Sequence, residues 1–219
     1  MRKSLLWFSL TIAVVLLVNT AAFAHGPLIC RTPGFWGTHA GTEKDRSQNI
    51  TLGVLDPANT GGINVCGVQI TNTDLNVADS ALEALCVSPQ GTQQLQLARQ
   101  LTALSLNCRI TGYASDCQYA YGVDAALVAL YSTCNSACVS GSTAAVTTCI
   151  GLIDSVNNGL CTPVQNPDST FTCTAPLSSC QDEPLIEDFT DPVISFEPPG
   201  PAGSSNACNA ATGNSTTIL

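Results

Sequence analysis

Twelve cysteines, all beyond position 29, restrict this chain more than any other feature: Cys30, Cys66, Cys86, Cys108, Cys117, Cys134, Cys138, Cys149, Cys161, Cys173, Cys180 and Cys208. None forms a Cys-x-x-Cys pair, and the whole chain holds two histidines, so zinc coordination lacks its usual spacing and partners. An even cysteine number in an exported chain reads instead as up to six disulfides. Bonds of this kind typically contribute about 2–5 kcal/mol each, though not additively. A chain rich in Ala, Ser and Thr needs such help, because small side chains bury little apolar area.

Export is legible at the N-terminus. Arg2 and Lys3 precede an apolar run from Leu5 to Val18, and Ala22-Phe23-Ala24 supplies the small residues of a cleavage site. The run falls short of the roughly 20 apolar residues that a membrane-spanning helix needs. Residues 1–24 are therefore expected to be a signal peptide, leaving a mature chain that starts at His25, lacks a membrane span and is secreted, extracellular or periplasmic. Cleavage removes two of seven basic residues and none of the sixteen acidic ones, which takes the formal net charge from −9 to −11. So acidic a chain has no basic footprint for phosphates, which excludes nucleic acid as a partner.

Periodicity divides the mature chain at about residue 160. Residues 49–73 look extended, with Ile63, Val65, Val68 and Ile70 flanking a hairpin turned at Cys66-Gly67 and a loop over residues 57–62 before it. Ser80 with Glu83 forms a capping-box pattern that opens a short helix through Leu82, Leu85 and Cys86. A second helix is expected from about Thr92 to Asn107, with Leu97, Leu101, Leu104 and Cys108 at helical spacing. A third runs from about Val123 to Cys138, and a fourth starts at the Ser142 cap and is stopped by Gly159. Cysteines recur within the apolar stripes, which places sulfur where helices face one another. Cys134 and Cys138, four apart on one helix, sit too far apart to bond each other and require different partners.

From Cys161 the composition changes. No Lys or Arg follows Arg109, and residues 162–219 hold seven acids and eight prolines. Little regular structure is expected there, with Cys173, Cys180 and Cys208 stitching the segment back onto the core. The expected fold is thus mainly α. It is a small disulfide-rich helical bundle over residues 25–160 with a short β-hairpin, followed by an irregular, acidic, Pro/Cys-rich C-terminal segment over 161–219.

The run Cys30-Arg31-Thr32-Pro33-Gly34-Phe35-Trp36-Gly37-Thr38-His39 resembles the Thr-(Pro/Gln)-Gly-(Phe/Tyr)-Trp-x-x-His motif of an uncharacterised family of secreted bacterial proteins. Thr51-Leu52-Gly53 is similar to that family's Leu-Thr-Leu-Gly-Gly stretch, and Leu97-Ala98-Arg99-Gln100-Leu101 through Leu106-Asn107 to its Leu-Ala-x-Gln-Leu helix ending in Leu-Asn. Gly37-Thr38 stands where the family usually has Lys-Asn, and Ala40 where proline is common. The resemblance implies an exported bacterial protein and transfers no catalytic residue.

Candidate chemistry is concentrated in residues 25–48. Trp36 and His39 lie one helical turn apart, either as an exposed binding pair or with Trp36 plugging the core and His39 hydrogen-bonded as a cap. The core reading is favoured, because large aromatics after a turn are more often anchors. His25 as a mature N-terminus offers an amine and an imidazole, and with His39 it would make a two-histidine metal site. That arrangement is similar to the copper site of lytic polysaccharide monooxygenases in its first residue only. A glycan platform would use Trp36 with Tyr113, Tyr119 and Tyr121. Glu43 and Asp45 beside Lys44 and Arg46 read as an exposed ion-pair strip. No Gly-x-Ser-x-Gly elbow, phosphate-binding glycine loop or cofactor-attachment sequence occurs. Asn49-Ile50-Thr51 and Asn214-Ser215-Thr216 match glycosylation sequons. The residues thus point to no catalytic set and no cofactor. They support an exported structural or interaction protein of the bacterial envelope or extracellular space, with a protein or glycan partner at the cell surface. A metal-binding protein or enzyme centred on His39 and His25 and a carbohydrate-binding module using Trp36 are the alternatives.

Overall fold

The computed structural model describes residues 28–41, 49–88, 90–118 and 125–174. The signal segment, His25, the strip from Glu43 to Arg46, Tyr119, Tyr121, Cys180, Cys208 and the second sequon lie outside the described residues. In chain order the elements are α1 (Pro33–Thr38), α2 (Ile50–Leu55), α3 (Pro57–Thr60), β1 (Ile63–Val65), β2 (Val68–Ile70), α4 (Ala81–Leu85), α5 (Gln93–Ile110), α6 (Ala125–Ser140), α7 (Thr143–Asn157), β3 (Thr162–Gln165) and β4 (Phe171–Thr174). The protein is a mainly α, disulfide-rich fold.

Helix α5 is its axis. Thr92 caps it, accepting the Leu95 N–H, and it packs against α7, α4, α6, α1, α2 and β1. Leu97, Leu101, Leu104 and Leu106 are fully buried, and so are Ala98, Ala103, Thr102 and Ser105 on the remaining sides. The leucine stripe marks only one side of a helix that is covered nearly all round. Small residues elsewhere on its surface let neighbouring helices approach closely. Its polar residues stay satisfied inside: Thr102 Oγ1 donates to the Ala98 carbonyl at 2.8 Å, and Ser105 Oγ to the Tyr131 hydroxyl at 2.8 Å.

Helices α6 and α7 lie beside α5 and are close to the expected spans. Ser142 caps α7 by accepting the Ala145 N–H at 3.3 Å, and Gly159, at φ +70°, follows its end. Ser80 caps α4, but Glu83 returns only half of the capping box. Its carboxylate accepts the Asn76 N–H at 2.8 Å instead of turning back to the cap residue.

Two stretches differ from expectation. Residues 50–60 are helical, not extended or looped: Asn49 Oδ1 accepts the Leu52 N–H at 2.9 Å, and Pro57 starts α3 at a position where its missing N–H costs nothing. The β1–β2 hairpin then forms as read, with Val65 opposite Val68 and both turn residues at positive φ, Cys66 at 52° and Gly67 at 79°. Beyond Cys161, part of the segment read as irregular is a second antiparallel hairpin, with Thr162 paired to Thr174 and Gln165 to Phe171. Asp168 Oδ1 organises its turn by accepting the Thr170 N–H at 3.0 Å. Pro163 is tolerated because a two-stranded sheet leaves each strand an open edge.

Four disulfides are defined. Cys134–Cys149 joins α6 to α7, and Cys66–Cys138 ties the β1–β2 turn to α6. Cys108–Cys117 closes the loop after α5, and Cys161–Cys173 clamps the β3–β4 hairpin. Cys134 and Cys138 therefore take different partners, and one bond of the four links two helices. Cys30 and Cys86 are also disulfide-bonded, and no cysteine among the described residues is free.

Candidate functional site

Helix α1 is built by its own sequence. Thr32 is the N-cap, Oγ1 accepting the Phe35 N–H at 3.3 Å, and Pro33 occupies the first turn. Six residues on, His39 ends the helix with its N–H on the Trp36 carbonyl at 3.2 Å. The motif is thus a helix with both ends specified.

Trp36 points inward and has no exposed surface. Its Nε1–H donates to Asn107 Oδ1 at 2.9 Å, and its carbonyl accepts the Thr51 hydroxyl at 2.7 Å. The three stretches singled out by resemblance, residues 30–39, 51–53 and 97–107, consequently meet around one indole. A glycan platform on Trp36 is corrected by this burial, since no ring face is open to a sugar. Tyr113 is buried as well, at 6% exposure.

Asn107 is the hub of a buried polar chain. Oδ1 accepts from Trp36 Nε1 and from the Arg31 N–H at 3.0 Å, while Nδ2 donates to the Arg31 carbonyl and to Asn157 Oδ1, both at 2.9 Å. Asn157 Nδ2 in turn donates to the Gln100 carbonyl and to Gln100 Oε1, each at 3.0 Å. Gln100 Nε2 ends the chain on Asp154 Oδ1 at 2.9 Å, at the surface of α7. Neither Asn107, one of several buried polar residues of α5 with Gln100, Thr102 and Ser105, nor its partner Asn157 carries a local sign of this role.

The arginines of α5 do related work. Arg99 Nε donates to the Leu85 carbonyl at 3.1 Å, at the end of α4. Arg109 donates to the Leu55 carbonyl at the end of α2 and to the Gly62 carbonyl at 2.8 Å. Each guanidinium satisfies carbonyls that a short helix leaves without a partner at its C-terminus. Gly62 sits beside that contact at φ +87°, and a Cβ there would lie 2.0 Å from the Ile70 carbonyl oxygen.

On the outside of α1, the half-buried rings of Phe35 and His39 stack at 4.2 Å and 23°. The Arg31 guanidinium lies 5.3 Å from the Phe35 centroid. His39 Nδ1 is 2.7 Å from the Phe35 carbonyl oxygen, which can only accept, so Nδ1 is the donor of this bond. No group of three or more His, Cys, Asp or Glu suited to a metal occurs among the described residues. The structure therefore brings Trp36 and His39 to one helix but to opposite environments, while His25 lies outside the described residues. Asn49 of the first sequon is committed elsewhere: its Nδ2 donates to Thr73 Oγ1 at 2.5 Å, and Thr51 is fully buried.

Two titrating groups are shifted by their surroundings. Burial pushes the Tyr131 hydroxyl, which donates to the Asn64 carbonyl at 2.8 Å, up to about 12. The Thr71 hydroxyl, 2.8 Å away, holds the Asp79 carboxyl below its ordinary range.

Comparison with known proteins gives no match: no family model, no curated protein and no solved structure matches the chain.

Proposed function

We propose that this is an exported structural or interaction protein of the bacterial envelope or extracellular space, which presents α6 and α7 to a protein or glycan partner. The observation that carries the reading is the outer surface of those two helices. Across residues 125–157 a single charged side chain occurs, Asp154. The exposed positions are Ser132, Thr133, Ser136, Val139, Thr143, Ala144, Ala145, Thr147, Thr148 and their neighbours. Many of the hydroxyls are already paired with their own helix: Thr147 donates to the Thr143 carbonyl at 2.8 Å, Thr148 to Ala144 at 3.0 Å and Ser155 to Gly151 at 2.8 Å. Covering such a surface strips little water from unpaired polar groups and freezes few rotamers, the two terms that most erode binding. The disulfides and the lack of a helix long and apolar enough to cross a membrane, among the described residues, are compatible with an exported protein.

The test combines processing with contact. Protein from its native host is expected to begin at His25 and to hold no free thiols. In-cell crosslinking is expected to yield an adduct that the double variant Ala144→Lys/Thr148→Lys loses while its melting temperature is kept. Free thiols in the purified chain, or an undiminished adduct with the lysines present, would overturn the proposal.

His39 favours a second reading, as a metal ligand. A ligating imidazole characteristically donates its other ring N–H to a carbonyl or carboxylate, as His39 does to Phe35. Copper or zinc titration of the processed protein, beside a version with one extra N-terminal residue, separates a site shared with His25 from none. Equal, negligible binding by both removes it.

A further inference from the structure

We infer that residues 72–83, the loop that leads from β2 into α4, bind a calcium ion. A twelve-residue loop that wraps Ca²⁺ takes its oxygens from positions 1, 3, 5, 7, 9 and 12, with a backbone carbonyl at position 7 and a glutamate at position 12. Counted from Asn72, those places hold Asn72, Asp74, Asn76, Ala78, Ser80 and Glu83. The glycine that turns such a loop at position 6 is replaced here by Val77. The left-handed residue falls one place earlier, at Asn76 with φ 61°, a conformation that asparagine tolerates.

The loop folds in agreement with that spacing. Its ends are fastened together: the Thr71 N–H donates to the Asp79 carbonyl at 3.0 Å, and the Ala81 N–H to the Asn72 carbonyl at 2.8 Å. Thr73 is buried and bonded by Asn49 Nδ2, and Leu75 packs against Ala40, Leu82 and Cys86. The residues that alternate with these two are the polar ones, with Asp74 and Asn76 exposed and Asn72 half-buried. Ser80 caps α4, which sets Glu83 in its first turn.

Glu83 is the residue that calls for a cation. It is 6% exposed, and its carboxylate reaches from α4 to the loop, where Oε1 accepts the Asn76 N–H at 2.8 Å. Oε2 has no hydrogen bond and no ion pair among the described residues. The cationic side chains among those residues, Arg31, Arg99 and Arg109, lie against Phe35, the Leu85 carbonyl and the Gly62 carbonyl. Burying a carboxylate with one oxygen unpaired is costly unless a counter-ion completes it. Asp79, at position 8, is committed to the Thr71 hydroxyl at 2.8 Å, and the acids of this stretch form no cluster of their own. Most of the donors are instead amide and carbonyl oxygens, hard ligands that suit Ca²⁺ over zinc or copper. The site is separate from His39 and independent of any partner on α6 and α7.

Calorimetric titration and thermal melts of the oxidised, processed protein, freed of divalent ions by chelation, test it with CaCl2. One Ca²⁺ per chain is expected, with a Kd of about 0.1–1 mM, the range of extracellular modules. The melting temperature is expected to rise with CaCl2 and not with equal MgCl2. Asp74→Asn, at an exposed position, is expected to keep the ion-free melting temperature and to weaken binding about tenfold, since ligand charge sets the affinity of such loops. Glu83→Gln is expected to lose binding. Asp168→Asn, which removes the same charge from the β3–β4 turn, is expected to bind as the wild type does. No calcium-dependent rise, an equal response to magnesium, undiminished binding by Asp74→Asn, or an equal loss in Asp168→Asn would overturn the inference, whatever the crosslinking of α6 and α7 shows.

Discussion

Replacing Asn107 by alanine removes four hydrogen bonds at once, and the cost is set by which of the abandoned groups can reach water. The Arg31 N–H and carbonyl belong to a half-exposed residue and rehydrate. Trp36 Nε1 and Asn157 Oδ1 cannot, because their residues are 0% and 1% exposed. A buried polar group left without its partner costs about 1–3 kcal/mol, so the pair together costs about 4 kcal/mol. That is a large share of the roughly 5–15 kcal/mol that holds a typical domain folded. The assay is urea unfolding of the oxidised, processed protein, followed by far-UV circular dichroism so that tryptophan variants can be compared. A cycle with Trp36→Phe sharpens it: phenylalanine fills much of the indole volume and has no N–H to orphan. In that background Asn107→Ala is expected to cost about half as much, a coupling of about 2 kcal/mol. A loss below about 1 kcal/mol with an unchanged urea slope, or zero coupling, would refute the claim that the Trp36–Asn107 bond organises this region.

Tyr131 predicts alkaline sensitivity. Its folded pKa, about 12, lies above the unfolded value near 10, so its contribution is complete below pH 10 and is lost as pH rises from 10 through 12, by up to about 3 kcal/mol. Urea midpoints across that window are expected to fall in the wild type and to stay flatter in Tyr131→Phe; parallel curves would contradict the burial argument. Among the bonds, paired Cys→Ser changes are expected to rank by the loop closed: Cys66–Cys138, spanning 72 residues, at about 4.4 kcal/mol, above Cys108–Cys117, spanning 9, at about 2.6 kcal/mol. Thermal melts of the two double variants check the order, and a reversed order refutes it. Gly62→Ala forces a Cβ against the Ile70 carbonyl at positive φ and is expected to cost about 2 kcal/mol or more, whereas Gly53→Ala, where a Cβ meets nothing within 4 Å, is expected to be neutral or stabilising.

Sequence signals for this fold were strongest where a cap and a long apolar period coincide. Thr92 before Leu95–Leu101 and Ser142 before Val146–Ile153 placed the starts of α5 and α7, while α5 runs three residues beyond its expected end at Asn107. They failed where local chemistry outvoted composition. Residues 49–60 read as extended and then looped, but the Asn49 cap and the Pro57 start, each worth about a kilocalorie per mole, make two short helices, the first of which packs against α5. Pro163 pointed away from a strand, yet the turn at Asp168 and the Cys161–Cys173 bond close one. The Trp36 anchor was legible as a large aromatic behind a Pro-Gly turn. Its partner was not, because Asn107 lies 71 residues away and no local pattern announces a hydrogen bond across that distance.

The division of labour between sulfur and amide follows from where each is placed. None of the four defined bonds touches α1, α2, α3 or α4; they fasten β1–β2, the end of α5, α6, α7 and β3–β4. Beside the bonded Cys30 and Cys86, the short helices are held from α5 by polar reach: Asn107 to Trp36, Arg109 to the end of α2, Arg99 to the end of α4. Opening Cys134–Cys149 and Cys161–Cys173 by paired Cys→Ser changes, and Asn107→Ala, should therefore loosen different halves of the molecule. Hydrogen exchange is expected to show α6, α7 and β3–β4 losing protection when Cys134–Cys149 and Cys161–Cys173 are opened, with α1 and α2 losing it first in Asn107→Ala. The reason is energetic and not topological: a crosslink limits how far a segment can travel once unfolded, whereas a buried amide decides whether its neighbours dock at all.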